Sequence, residues 1–227
     1  MSRTTRMKVL VAGSTGQTGK RVVSELLERG IEVKALVRDR SKASEHLAVS
    51  SEKLEIVVGD VLEPGSLASA LADCQMLISA TGAAPSFDPT GPYKVDYEGT
   101  KNLVDAAKTV GIERFVMVSS LCVSKLFHPL NLFWGVLYWK KQAEDYLETS
   151  GVPYTIVRPG GLKNEDSTEA VVMSAADTLF EGSIPRQKVA QVCVEALDSI
   201  AAKNKVVEIV TTEEAPKQSF EELFAQV

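Results

Sequence analysis

Two hydrophobic rhythms alternate along the chain. Short runs rich in β-branched residues, apolar almost throughout, are separated by longer stretches in which apolar residues recur at helical spacing. A strand that is apolar on both faces belongs to a parallel sheet covered by helices on both sides. The runs predict strands over Lys8–Ala12, Glu32–Val37, Leu54–Val58, Met76–Ala80, Arg114–Ser119, Tyr154–Arg158 and Val206–Val210. The stretches between them predict helices over Gln17–Arg29, Lys42–Leu47, Gly65–Ala70, Glu98–Val110, Gly135–Thr149, Thr168–Leu179 and Gln187–Ile200. The expected fold class is α/β, a doubly wound, mostly parallel sheet of about seven strands with helices on both faces. One domain is expected over residues 1–227, with a small substrate-side region around 83–97 and 159–186. The loops Ala83–Pro92 and Leu162–Ser167, rich in Pro, Gly, Asp and Ser, are the candidates for a lid or rim.

The first strand runs into three evenly spaced glycines, Gly13-Ser-Thr-Gly16-Gln-Thr-Gly19, and then a helix. This is a phosphate-binding turn of Rossmann type: Gly13 permits the turn, Gly16 lets a pyrophosphate approach, and Gly19 lets helix and strand pack closely. Exposed N–H groups at the helix start, over Ser14, Thr15, Gln17 and Thr18, supply donors to the anion. In such a sheet ligands bind beyond the carboxyl ends of the strands, which gives each strand end a meaning. The second strand ends at Arg38, where an NAD site usually has a carboxylate. A guanidinium pairs with a 2′-phosphate instead, so Arg38, helped by Arg40, Ser41 and Lys42, points to NADP(H), with NADPH preferred over NADH. Asp39 leaves NAD binding open. Asp60 is placed to accept from the adenine amino group, with Val61 packing on the ring; the alternative is an ordinary cap or turn residue. Ala80, Thr81 and Gly82 end strand four, Ser119 and Ser120 strand five, and Arg158, Pro159 and Gly160 strand six. These complete the expected cofactor contacts.

Composition narrows the setting. The 227 residues are 44% hydrophobic and 24% charged, with a formal net charge of −5 and scattered basic residues, so no nucleic-acid groove is expected. No apolar run reaches membrane-spanning length. Cys74, Cys122 and Cys193 show no metal or disulfide spacing, and no signal-peptide core follows Met1. The expectation is a reducing, cytoplasmic compartment, no metal, and a monomer or a homodimer joined through the Leu126–Leu147 stretch.

The motifs Gly13-x-x-Gly16-x-x-Gly19, Gly59-Asp60, Ser79-Ala80-Thr81-Gly82, Asp96-Tyr-Glu-Gly99-Thr100-Lys-Asn-Leu, Val118-Ser119-Ser120 and Arg158-Pro159-Gly160-Gly161 follow one another along the chain. Together they resemble the atypical NAD(P)-binding branch of the short-chain dehydrogenase/reductase superfamily. The stretch from Asn131 to Glu144, followed by Pro153 to Gly161, resembles a plant and cyanobacterial subgroup. Its best-known members are the dehydrogenase-like subunit of the chloroplast inner-envelope translocon and stand-alone cyanobacterial relatives. The resemblance implies a protein partner in a photosynthetic or redox context, and plastid stroma as the compartment if the source is a plant. The translocon subunit also carries a tail that docks ferredoxin–NADP reductase; the sequence shows no such tail, and that partner is not expected.

The resemblance also supplies a catalytic template, a Tyr-x-x-x-Lys pair with a nearby Ser, in which Lys holds the nicotinamide ribose and Tyr exchanges a proton. Lys140 has the family's spacing to Glu144, yet Val136 stands where Tyr is expected. Tyr138 is the substitute candidate, although it precedes Lys140 by two residues and lies well round the helix. Ser120 could orient a carbonyl, His128 is a further candidate in the loop after strand five, and His46 reads as inert. Phe127, Phe133, Trp134 and Trp139 make this loop and helix the most aromatic segment, an apolar pocket rim or a partner surface. The function expected is an NADPH-dependent reductase of a small carbonyl or quinone-like molecule. The alternative is a non-catalytic NADP(H)-binding sensor or assembly factor acting through a protein partner. A nucleotide-sugar epimerase is less favoured, because the segment after strand six is short for a sugar-binding subdomain.

Overall fold

The computed structural model describes residues 7–41, 43, 47, 51–84 and 86–227. Its main sheet has eight strands in the order β3-β2-β1-β4-β5-β6-β10-β8. These are β1 (Lys8–Ala12), β2 (Glu32–Val37), β3 (Leu54–Val58), β4 (Met76–Ser79), β5 (Arg114–Val118), β6 (Tyr154–Pro159), β8 (Ala170–Ala175) and β10 (Lys205–Thr212). Every pairing is parallel except β8 with β10. A small parallel pair, β7 (Gly161–Lys163) with β9 (Ser183–Pro185), lies outside it.

Side-chain alternation assigns the two faces. Val9 and Val11 of β1, with Val116 and Val118 of β5, join a core closed by α1 (Gly19–Glu28), α5 (Arg186–Asp198) and α6 (Phe220–Ala225). Leu10 and Ala12, with Phe115 and Met117, face the opposite core under α2 (Pro64–Leu71), α3 (Gly99–Val110) and α4 (Val136–Thr149). Both faces of the central strands are therefore dry, which is why their sequences read as unbroken apolar runs.

The strand order reverses beside β1, where β2 lies on one side and β4 on the other. The crevice beyond these strand ends is where an open sheet of this kind accepts ligands.

The stretch 168–179, expected to be helical, is instead built around strand β8. Val171 and Met173 alternate inward, and the strand pairs antiparallel with β10, for example Val210 with Val172. The expected helix over 42–47 lies largely outside the described residues. Before α3 the chain forms a wide π-type helical turn, Pro92–Glu98, which the periodicity did not signal.

Candidate functional site

The glycine turn is built by close approach. Gly13 has φ +74°, and a Cβ on it would lie 2.6 Å from the Ala80 carbonyl oxygen. A Cβ on Gly19 would lie 2.1 Å from the Gly13 carbonyl oxygen, so α1 can begin against the turn only because residue 19 is glycine. The Gly16 N–H closes the turn on the Gly13 carbonyl at 3.0 Å. Ser14 is buried and its Oγ donates to the Leu36 carbonyl at 2.8 Å, a tie to β2 rather than a ligand contact. Thr18 begins α1 without capping it, whereas α6 has a complete capping box on Ser219. A side-chain-free cradle under an uncapped helix start fits a pyrophosphate.

From this turn a cleft of about 290 Å³ runs over the strand ends. It is lined by Gly13, Thr15 and Gly16, by Arg38 after β2, by Asp60 and Val61 after β3, and by Ala80, Thr81 and Gly82 after β4. The Arg38 side chain is exposed and makes no ion pair or hydrogen bond among the described residues. Asp39 is engaged locally: its Oδ1 accepts from Ser41 N at 2.9 Å and Ser41 Oγ at 2.7 Å. Arg40 donates to the Ile56 carbonyl at 2.7 Å, and Lys42 and His46 lie outside the described residues. Asp60 Oδ1 accepts from Leu62 N at 2.9 Å, the turn role weighed against adenine binding, while the residue still lines the cleft. Val61 is wedged against Gly99, where a Cβ would come within 2.7 Å of Val61 Cγ2. Gln17 sits exposed at the helix start, its oxygens accepting from Arg21.

A second, larger cleft of about 750 Å³ meets the first at Ala84. Its walls are Ala83, Ala84, Phe87 and Pro92 on one side and Leu130, Leu132, Phe133, Trp134 and Val136 on the other. Trp134 Nε1 donates to the Ser86 carbonyl at 3.3 Å and ties the two loops together. Its polar wall residues are Ser86 and Asp88, and Asp88 Oδ1 already accepts from Thr90 N and Oγ1.

Val136, where the family's tyrosine would stand, is an apolar wall residue of this cleft. Tyr138 is exposed, with its ring edge-on to Trp139 at 5.0 Å between centroids. Lys140 pairs with Asp96, Nζ to Oδ1 2.7 Å, and not with Glu144. Ser120 is half-buried at the end of β5, and Ser119 is buried with its Oγ unbonded among the described residues. His128 serves as a local cap, its Nδ1 accepting from Leu130 N at 3.2 Å, so the fold uses it to start the short helical turn Pro129–Leu132.

The strand-six residues do not line the dinucleotide cleft. Arg158 is fully buried among Glu144, Asp177 and Glu208, and Gly160 is pressed against the Gly182 carbonyl, which a Cβ would approach to 2.7 Å. Burial would lower the Arg158 pKa, but the surrounding carboxylates raise it. Asp96 opens the motif Asp96-Tyr-Glu-Gly99-Thr100, whose sequence alone assigns its side chain no role. The available signal was a carboxylate flanked by apolar and aromatic residues at the start of a helix.

A family model described as NAD(P)H-binding matches residues 13–200. The chain is 52% identical to an uncharacterized chloroplastic protein of Arabidopsis thaliana, over 97% of this chain and 82% of that protein. It is 40% identical to the chloroplastic protein TIC 62 of Pisum sativum over 96% of this chain, and spans 46% of that longer protein. With sanguinarine reductase of Eschscholzia californica it shares 32% identity over 98% of this chain and 96% of that one. Among solved structures, a protein described as an NAD-dependent epimerase/dehydratase from Bacillus halodurans superposes with a TM-score of 0.85 at 31% identity, over 97% of this chain and 100% of that one.

Proposed function

The chain belongs to the NAD(P)H-binding family, in the atypical branch of the short-chain dehydrogenases/reductases, and from that premise we propose that it is an NADPH-dependent reductase of a planar, apolar carbonyl or quinone. The observation that carries this reading is the junction at Ala84, where the dinucleotide cleft opens into an apolar, aromatic-walled cleft of substrate size. Sanguinarine reductase, similar over almost the full length of both chains, supports reductase chemistry.

In this reading the uncapped start of α1, with Gly13, Thr15 and Gly16, holds the pyrophosphate. Arg38 pairs with the 2′-phosphate, which a carboxylate at that position would repel. Asp60 and Val61 border the adenine. When bound, a reduced nicotinamide supplies hydride. Phe133, Trp134 and Val136 orient an acceptor by apolar contact and keep water off it, and Lys140 lies at the seam beside Gly82. With Val136 in place of tyrosine, Ser120 or water delivers the proton to the substrate oxygen.

The test is steady-state NADPH oxidation against a panel of quinones and aryl ketones, for wild type and Phe133→Ala. Turnover with apolar planar acceptors, and a higher KM in the variant, supports the reading; NADPH binding with no acceptor reduced overturns it. That second outcome is the signature of a cofactor-bound sensor. Val136 and the strongly exposed Phe127 (96%) and Leu132 (84%) are the observations that favour such a role.

A further inference from the structure

The larger cleft lacks an acid and holds a negative charge. Among its described lining residues Asp88 alone is charged, and Ser86 is the other polar one. Asp88 Oδ1 accepts from Thr90 Oγ1 at 2.7 Å and from Thr90 N at 2.9 Å, and these bonds hold the carboxyl below the ordinary 3.8, so it is ionised at neutral pH. The residue is exposed, and among the described residues Oδ2 has no hydrogen bond or ion pair. Lys94 adds to the lowering but is not part of the cleft lining. At the seam with the dinucleotide cleft, the Lys140 ammonium has its own counter-charge in Asp96.

Aromatic rings stand on both walls. Phe87 on one and Phe133 on the other are 99% and 66% exposed, and Trp134 beside Phe133 is partly exposed. The face of such a ring attracts a cation, most effectively one that is weakly hydrated. The formal net charge of −5 biases approach in the same direction.

The chemistry of reduction agrees with the charge. Hydride added to a carbonyl carbon leaves an alkoxide that must collect a proton, and Val136 stands where the family's proton donor would be. Hydride added to the carbon of an iminium, C=N⁺, moves the π pair onto nitrogen and leaves a neutral amine. One C–H bond forms, one C–N π bond is lost, NADPH is oxidised to NADP⁺, and no proton is taken up.

Resting on the reductase reading above, we propose that the larger cleft takes a planar aromatic cation, an N-alkyl iminium, as its hydride acceptor, with Asp88 as counter-charge and Phe133 and Trp134 as ring partners. Reduction removes the charge that these groups hold, so the product leaves more readily than the substrate binds.

The test is calorimetric titration of the nucleotide-free protein at pH 8 with three probes that share one ring system: N-methylacridinium, neutral acridine and acridine-9-carboxylate. The cation is expected to bind about 5- to 20-fold tighter than acridine, and the carboxylate more weakly than acridine. Asp88→Asn keeps an acceptor for Thr90 and is expected to weaken the cation about 2- to 5-fold while leaving acridine unchanged. Phe133→Leu, at an exposed position, is expected to narrow the gap between cation and acridine. Equal affinities for the three probes in wild type, or a preference for the cation that survives both substitutions, overturns the proposal. NADPH oxidation is then followed with N-methylacridinium and with aryl ketones, against protein-free blanks. Turnover of ketones without selective cation binding leaves the reductase reading standing and overturns this proposal. Selective cation binding with no acceptor reduced overturns the reductase reading, and the hydride step proposed here with it.

Discussion

Glu144 takes Arg158 as its partner. Arg158 Nη2 lies 2.6 Å from Glu144 Oε2 and Nε lies 3.0 Å from Oε1, both side chains being sealed from water. Glu208, equally buried, stands 3.3 Å from Arg158 Nη1 and accepts the backbone N–H groups of Asp177, Thr178 and Leu179. The cluster fastens α4 and β10 to the loop after β8, and it leaves Lys140 free of Glu144 to meet Asp96.

Replacing Arg158 by Met strands two buried carboxylates, so a stability loss of about 3–5 kcal/mol is expected, read from urea unfolding. Wild-type stability combined with lost NADPH affinity would instead make Arg158 a cofactor ligand.

Gly13→Ala forces a side chain into a φ of +74° and onto the Ala80 carbonyl. A loss of about 1–3 kcal/mol is expected, with NADPH affinity falling more than the stability change alone explains. Thermal unfolding and titration calorimetry on the same preparation separate the two effects.

The three cysteines should be poor nucleophiles in the folded protein. Burial pushes the Cys193 thiol up to about 12 and the Cys74 thiol up to about 11, and raises Cys122 as well. At pH 8 iodoacetamide is expected to leave Cys193 and Cys74 unmodified for hours and to alkylate all three after denaturation, as mass spectrometry would read. Fast labelling of Cys193 in the native protein would contradict the packing under α5.

Asp73 predicts part of the acid limb of stability. Hydrogen bonds from Lys34 and Lys8 hold its carboxyl below the ordinary 3.8. A carboxylate whose folded value is depressed stabilises above its unfolded value, and that contribution is lost as the pH falls through the folded one. Asp73→Asn is expected to cost less than about 1 kcal/mol at pH 7, because the group is half exposed, and to shrink the loss between pH 4 and pH 2. Unfolding free energies at the two ends of that range check it.

What the sequence made legible follows from the range of the interactions involved. The strands of the parallel core are local apolar runs, and the glycine turn is local too, so both are visible without a structure. Strand β8 is not, because Glu169-Ala-Val-Val-Met-Ser mixes helix-favouring and strand-favouring residues and its conformation is fixed by pairing with β10, some 35 residues later. The role of Arg158 was hidden for the same reason: Glu144 lies 14 residues away, Asp177 19 and Glu208 50. The place of Arg38 at the mouth of the cleft was readable because its position is counted from the glycine turn. Asp96 was not, since only the packing of the Pro92–Glu98 turn on α4 brings it to Lys140.

The proposed selection of NADP(H) rests on Arg38 at the mouth of the cleft over the glycine turn. Titration calorimetry of NADPH and NADH into wild type and Arg38→Ala tests it most directly. NADPH is expected to bind at least about tenfold tighter than NADH to wild type, with the preference gone in the variant. Binding of neither nucleotide, or a preference that survives the loss of Arg38, would contradict it.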